Sequence, residues 1–415
     1  MAHTKSYFDR SGNDFGGIPF RSRKAFFDTI ATKITKKETK RDEFVIFAPK
    51  CHRLKTTDFR VKGILGNIES GKVAWQTPSN IALVKYWGKK EPQLPENASI
   101  SFTLNNCHTS TEMVFEKKKT EGDFSFEIVF EGEKNEAFKP KIQKFFERIQ
   151  AYVPFLKEYH FTIFSKNSFP HSSGIASSAS GMSALAMCLM SIEKLLSPEI
   201  SEDYFYKKAS FLARLGSGSA CRSVKGSLVV WGVHKDIAGS SDLYGVDFNE
   251  EIAPVFKNYQ DTILLVDKGE KQVSSTVGHN LMFEHPYAQN RFVQAGENIS
   301  KIKTILKEGA VKDFIALVES EALTLHAMML TSHPYFILMK PNTLEIIQRI
   351  WDYRTINDSN VCFTLDAGAN VHLLYPENEK EEVQHFIEKE LAAFCQNRHF
   401  IHDYVGQGAQ EITAI

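Results

Sequence analysis

The sequence predicts an α+β protein of two domains, and three observations carry that prediction. At 415 residues the chain is too long for one typical domain and about right for two. Its first organised part mixes alternating, strand-like runs with helical ones, and from about Asp261 the pattern changes to units of strand and long helix. Hydrophobic residues at 42% and charged residues at 24% suit a soluble globular chain with a sizeable core. The two domains are placed at 71–255 and 256–415, behind a basic extension at 1–70 that is expected to be poorly ordered.

The elements follow in order. Residues 1–70 carry fifteen Lys/Arg against eight Asp/Glu, cluster Gly and Ser at Ser11–Gly17 and lack clean periodicity. They read as a tail more than as a targeting arm. Val73–Trp75 begins a strand that leads into Asn80–Lys89. Ser99–Leu104 and Ser110–Glu116 alternate, and Phe124, Phe126, Ile128 and Phe130 share one face of a further strand. Ile142, Phe145, Phe146 and Ile149 recur at helix spacing within Lys141–Tyr152, and His160–Ser165 is a strand. An apolar helix ends before Pro198, a second covers Ser201–Leu215, and Gly226–Trp231 and Ile263–Val266 are strands. Helices are expected over Arg291–Lys307, Lys312–Met329 and Thr343–Tyr353, the last with Thr343 as its cap. Val361–Leu365 and Val371–Tyr375 flank the turn Asp366–Asn370. A charged helix at Lys380–Phe394 and a strand at His399–Val405 close the chain. The second domain reads as helices on one face of an antiparallel sheet.

Several classes drop out. Fifty basic residues balance fifty acidic ones, so no global field favours nucleic acid or an anionic membrane. Apolar stretches such as Met182–Ile192 fall short of the ~18 residues of a spanning helix. Six cysteines without a C-x-x-C pair read as reduced thiols, and the N-terminus has no apolar leader, so the expected compartment is the cytoplasm. The 14 histidines show no metal-ligand spacing, and none is assigned to a metal. Neither a Walker A loop nor a G-x-S-x-G elbow is present.

Four motifs carry chemistry. The turn Gly174-Ile175-Ala176-Ser177-Ser178-Ala179-Ser180 opens a helix, so its backbone N–H groups and the helix dipole suit a phosphate chain, with Ser177, Ser178 and Ser180 as further donors or Mg²⁺ contacts. The same residues also fit a plain helix cap. Gly216–Ser223 interleaves Gly with Ser217 and Ser219 and ends on Arg222, a guanidinium suited to a carboxylate or phosphate; a C-cap with a surface arginine is the alternative. Lys271, with Ser274 and Ser275 beyond it, is a weaker phosphate contact, and a solvated lysine is the simpler reading. Asp366 leaves a strand into small residues where a substrate hydroxyl could come close, a base or a turn former. Lys85 and Lys89 flank Tyr86 and Trp87; they either neutralise phosphoryl charge or lie exposed on a strand.

In this order the segments are specific. Pro78–Lys89 with its Lys-Tyr-Trp-Gly-Lys run, Phe169–Gly181, Ala213–Ser223 with Gly-Ser-Gly-Ser-Ala-Cys-Arg-Ser, and Phe363–Asn370 resemble those of the diphosphomevalonate decarboxylases of the GHMP kinase superfamily. The resemblance covers about Val73 to the C-terminus. It departs from the usual pattern at His171-Ser172-Ser173, at Ala369 and at Ala409, without removing a functional group.

The resemblance implies a ribosomal-protein-S5-like first domain, a ferredoxin-like second domain and an active site between them. The implied reaction takes ATP, with Mg²⁺, and (R)-5-diphosphomevalonate to isopentenyl diphosphate, ADP, phosphate and carbon dioxide. It places Asp366 at the 3-hydroxyl, Lys85 close to the reacting centre and Arg222 at the substrate carboxylate. Ser217 and Ser219 lie near the substrate, and Tyr86, Lys89, Lys271 and Ser275 hold or organise the diphosphate. Gly174, Ile175, Ala176, Ser177 and Ser178 cradle ATP phosphates, with Asn80 orienting groups there. It also implies a homodimer acting on small molecules. The alternatives are a kinase of mevalonate or phosphomevalonate without decarboxylation, and a catalytically silent ligand-binding protein on the same fold.

Overall fold

Long alternating runs make the backbone of the first sheet. The computed structural model describes residues 54–414, apart from 64, 121, 171–174 and 270–274. Strand β1 (Ser70–Val84) pairs antiparallel with β4 (Ser99–Lys117), beyond the small ribbon of β2 (Lys89–Lys90) and β3 (Leu94–Pro95). The two alternating runs expected at 99–104 and 110–116 are therefore one strand. The ladder shifts register at Pro78/Asn80, where proline offers no N–H to it. Next come β5 (Ser125–Phe130), β6 (Glu133–Lys134), helix α1 (Lys139–Ile149) and β7 (Tyr159–Asn167). Helix α2 (Ser177–Leu196) packs behind the sheet, and α3 (Glu202–Gly216) starts on Ser201, whose side chain accepts the Tyr204 N–H as a cap. With β8 (Leu228–Trp231), β9 (Val246–Asp247) and a C-terminal strand, these form an eight-stranded sheet in which only β5–β7 is parallel.

Helix α2 is long and apolar enough to cross a membrane by length and composition, but it is mostly buried as the core helix of this layer. Across it, Lys208 of α3 meets Glu193 at 2.6 Å with both side chains out of solvent. Burial pushes Lys208 down and Glu193 up, each against the pull of its partner. The pair is a desolvated one that only mutual contact makes tolerable.

The second sheet is built from β10 (Gln260–Leu264) and later strands. After it come the short α4 (Ser275–Asn280), then α5 (Ala288–Glu308), α6 (Val311–Leu330) and α7 (Pro341–Asn357). Then follow β11 (Cys362–Leu365), β12 (Val371–Tyr375), α8 (Lys380–Phe386) and β13 (Phe400–Tyr404), with β14 (Gln410–Glu411) returning to β1 of the first sheet. The order is β11-β12-β10-β13, antiparallel throughout.

Helices on one face were expected here, and the structure corrects that. Alternate residues serve two cores: Ile263 and Leu374 join Ile299, Ile302 and Phe314 of α5 and α6, whereas Leu264, Leu373 and Tyr375 join Ile347, Ile350 and Phe386 of α7 and α8. Ile81 and Phe102 of the first sheet share the former cluster, so the two sheets meet in one core.

Three further readings are corrected. Thr343 is not the cap of α7: the helix starts at Pro341 after Lys340, and Thr343 Oγ1 accepts the Lys340 N–H while donating to the Ala369 carbonyl. Proline suits a first helical position, which moves the start two residues upstream. The charged helix at 380–394 runs as α only to Phe386 and then widens to a π turn and tightens to 3₁₀. Finally, the expectation of a loose extension falls for its last part. Residues 1–53 lie outside the described residues, but Phe59 is fully buried and stacks on Phe211 at 4.4 Å, and the Tyr204 hydroxyl donates to the Asp58 carbonyl. The five described cysteines are buried free thiols.

Truncating Phe59 removes an aromatic side chain from a closed core. Phe59→Ala is expected to lower unfolding free energy by about 3–5 kcal/mol in urea titration; a loss under about 1 kcal/mol would place residues 54–70 outside the cooperative unit.

Candidate active site

Strand β1 leaves its sheet at Val84, and the next residue is where the site begins. Lys85 is held by its backbone. Its N–H donates to Glu321 Oε2 at 2.8 Å, and its carbonyl accepts from Asn97 Nδ2 at 2.9 Å and Arg291 Nη2 at 3.2 Å. Glu321 is fully buried and satisfied by Arg291 and by Asn298 Nδ2 at 2.6 Å. This fixes the direction of the Lys85 side chain, which is 2% exposed and ends 3.2 Å from Asp366 Oδ1. Burial lowers the Lys85 pKa, and Asp366 opposes that shift. Asp366 comes from the turn after β11, whose carbonyl at Asp366 accepts from His326 Nε2 at 3.1 Å and from the Gly368 N–H at 2.7 Å. Lysine and aspartate thus meet from the two sheets.

Arg222 sits in the 3₁₀ turn Gly218–Ser223 that follows α3. It is 3% exposed. Its Nε donates to Asn80 Oδ1 at 3.3 Å and its Nη1 to Ser99 Oγ at 2.5 Å, and its guanidinium lies 5.8 Å from the Trp231 ring. No carboxylate among the described residues lies within salt-bridge distance of it. Burial lowers its pKa, and an arginine side chain nevertheless keeps its charge in proteins. Gly218 is required for this turn: a Cβ there would come within 2.9 Å of Trp231 and 3.0 Å of the Tyr86 hydroxyl. Tyr86 itself packs edge-on against Trp231, and burial raises its phenol, so it is a neutral donor. Lys89, also buried, donates to Gln93 Oε1 at 3.0 Å, and burial lowers its pKa.

These groups line one cavity of about 650 Å³. Its wall includes Lys85, Tyr86, Lys89, Ala176, Ser177, Ser178, Ser217, Ser219, Arg222 and Asp366, all anticipated from sequence. Ala176 adopts a left-handed φ of 41° and turns the chain into α2. Ser177 and Ser178, the first helical residues, line the cavity, and their N–H groups are among those a helix leaves without intrahelical partners. Ile128, Phe130, Phe138, Ile142 and Ile163 add an apolar wall, with Ser165 and Asn167 among them.

Five expected contacts, and Ser180 as a further candidate, stand elsewhere or cannot be placed. Ile175 is buried in the apolar core and is not part of the cavity wall, and its carbonyl accepts from Ser79 Oγ. Asn80 lies behind the wall, its amide engaged by Ser223 Oγ, the Ser219 carbonyl and Arg222 Nε; it braces the arginine instead of meeting a nucleotide. Gly174 and Lys271 lie outside the described residues, as does the side chain of Ser275. Ser180, considered as a further donor, is buried and bonded to Thr109 Oγ1 at 2.6 Å.

The structure also adds residues that sequence reasoning missed. Lys141 Nζ donates to Ser178 Oγ at 2.9 Å, and His279 and Gln93 share the wall. Lys141 follows a proline at a helix start, a position that reads as solvated; nothing local marks His279. The wall therefore carries Lys85, Lys89, Lys141 and Arg222 against the carboxylate of Asp366, a cleft built for a polyanion. Among the described residues no group of three His, Cys, Asp or Glu could hold a metal ion.

A buried helix whose N-terminus opens on a cationic cleft, closed by an aspartate from a second antiparallel sheet, defines a small-molecule phosphoryl-transfer enzyme of the GHMP kinase fold. The comparisons with known proteins narrow the class. A family model described as the diphosphomevalonate decarboxylase-like N-terminal domain matches residues 77–243, and one described as the mevalonate 5-diphosphate decarboxylase C-terminal domain matches 262–413. The diphosphomevalonate decarboxylase of Candida albicans is 30% identical over 326 residues, 74% of this chain and 84% of the relative. That of Saccharomyces cerevisiae is 30% identical over 334 residues, 75% and 80%. The solved mevalonate diphosphate decarboxylase from Staphylococcus aureus matches with a TM-score of 0.70 at 26% identity, covering 83% of this chain and 98% of that one. The chain belongs to the diphosphomevalonate decarboxylase family.

His326 makes the site acid-sensitive. Burial pushes its pKa from 6.5 down to about 4, against the hydrogen bond to the Asp366 carbonyl. Between those values the unfolded chain binds a proton that the folded one refuses, so this contribution is present above pH 6.5 and is lost as pH falls toward 4. His326→Gln is expected to flatten the decline of stability over that window, by up to about 1.4 kcal/mol per pH unit in urea titrations at stepped pH. An unchanged slope would refute the assignment.

Proposed function

We propose that this cleft carries out the ATP-dependent decarboxylation of (R)-5-diphosphomevalonate to isopentenyl diphosphate, ADP, phosphate and carbon dioxide. The observation that carries the reading is the buried Arg222, a cation without a carboxylate partner among the described residues, on the wall shared by Asp366 and the N-terminus of α2. Family membership fixes the reaction class. A related complex, MDDEF with MVAPP, AMPPCP and magnesium (TM-score 0.70, 26% identical, covering 83% of this chain and 99% of that one), supports MgATP as co-substrate.

In this reading the nucleotide phosphates meet the N–H groups and hydroxyls of Ser177 and Ser178, with Lys141 beside them. Asp366 accepts the hydrogen of the 3-hydroxyl and aims its oxygen at the terminal phosphorus, and Lys85 offsets charge at the same point. Phosphorylation turns a poor leaving group into a good one. As the C–O bond breaks and phosphate departs, positive charge grows on the tertiary carbon. The electron pair of the neighbouring C–C bond then forms the alkene and frees carbon dioxide. Arg222 holds the carboxylate in place, and Tyr86, Lys89, Ser217 and Ser219 hold the diphosphate end. Lys271 and Ser275 remain assigned there by resemblance. The domains are drawn at 71–255 and 256–415, in keeping with the separate spans of the two family models. A cytoplasmic location is supported by the buried free thiols, and a homodimer by the resemblance and the exposed apolar side chains of Tyr335 and Ile337.

A coupled ADP assay with mevalonate, its 5-phosphate and its 5-diphosphate, run beside carbon dioxide detection, tests the reaction. ADP and carbon dioxide should appear together and only with the diphosphate; ADP without gas would make the protein a plain kinase. In the same assay Asp366→Asn is expected to lower kcat by about 10²–10⁴-fold. A variant within threefold of wild type would remove Asp366 from the chemistry.

A further inference from the structure

Helix α4 brings one more side chain to the wall. His279 lies in its last turn, and its ring sits between two aromatic residues of the β1–β2 connection, 4.3 Å from Tyr86 and 4.6 Å from Trp87 between centroids. The approach is close: a Cβ on the neighbouring Gly278 would stand 2.6 Å from the Trp87 ring. The Gly88 N–H donates to His279 Nδ1 at 3.0 Å. A nitrogen that accepts carries no proton, so this bond assigns the other tautomer, with hydrogen on Nε2. No described residue accepts from Nε2, and the ring borders the cavity. Burial, then the charges of Lys89 and Arg222, push the ring's pKa from 6.5 down to about 3. It is therefore a neutral donor at pH 7.

We propose that His279 is a substrate-contacting residue, whose Nε2–H donates to a diphosphate oxygen of the substrate while Nδ1 pins the Gly88 amide and so holds Tyr86 and Lys89 around that group. The inference rests on the reaction proposed above. Its physical logic is one of charge economy. Lys89 and Arg222 already bring two desolvated cations to this end of the cleft, and a third would repel both. A neutral imidazole adds a directed hydrogen bond without adding charge, and its Nδ1 contact prevents the ring from turning that donor away. A hydrogen bond to a charged group is worth enough to shift affinity by roughly 10–100-fold.

The test uses the full chain with His279→Phe, which keeps a ring but neither nitrogen, and His279→Gln, which keeps an acceptor and a donor. The expected result is a rise of roughly 10–100-fold in KM for diphosphomevalonate in the Phe variant, a KM for ATP within about threefold of wild type, and recovery of most of the loss in the Gln variant. Equal losses for both substrates, or no loss in the Phe variant, would overturn the proposal. Imidazole ¹⁵N spectra of the wild-type protein give an independent readout, with the His279 signals assigned from the Gln variant. Added inorganic pyrophosphate should move the Nε2 resonance while leaving Nδ1 unprotonated, and an unmoved Nε2 overturns the contact. If wild type itself releases no carbon dioxide, the reaction fails, while the pyrophosphate titration still decides the residue.

Discussion

Everything at this site depends on keeping more positive charge inside the protein than its one carboxylate, Asp366, can offset. Lys85, Lys89 and Arg222 are each at most 5% exposed, and burial lowers the pKa of all three. Desolvated cations of this kind cost several kcal/mol apiece before any ligand arrives. Elsewhere the protein treats buried charge differently: Lys208 is closed onto Glu193 and Arg291 onto Glu321. In the cleft, neutral acceptors stand where carboxylates would be expected, Gln93 for Lys89 and Asn80 with Ser99 for Arg222. They orient the cations and leave their charge for a bound anion.

The buried Glu321–Arg291 pair supplies the rigidity this needs. Both partners reach the backbone of Lys85, one at its N–H and the other at its carbonyl, just where the strand ends and regular hydrogen bonding stops. The ammonium is thereby aimed across the junction of the two sheets at Asp366, and Arg291 and Glu321 act on the site without lining it. Precision of this sort, held by a buried hydrogen-bond network, is what phosphoryl transfer asks of a protein.

Much of this was legible in the chain. A helix over Ser201–Leu215 and a strand–turn–strand about Asp366, between two short apolar runs, both stand as read to within a residue or so. The Ser-rich turn opens its helix where expected. What could not be read has a common cause, contact between residues far apart in sequence. Lys141 gains meaning only from Ser178, and His279 only from Gly88, 191 residues away. Phe59 stands alone in a polar, basic stretch with no periodic partner, and only the Phe211 ring reveals it as core. Asn80 has the right chemistry for a ligand contact but faces the arginine instead, because Arg222 enters from the opposite element.

The closeness of Lys85 to Asp366 bears on what the carboxylate is asked to do. A strong base needs an exposed, poorly compensated charge, whereas Asp366 has an ammonium 3.2 Å from one oxygen. In the reading proposed, that is enough. Phosphoryl transfer to an alcohol passes through a loose transition state in which the new P–O bond is barely formed, so the hydroxyl proton has little reason to leave early. Orientation then matters more than basicity. A carboxylate fixed by lysine accepts the hydroxyl hydrogen along one direction only, and the same lysine stands ready for the charge that spreads over the phosphoryl oxygens. The pair is better understood as a jig for the alcohol than as a base with a spectator.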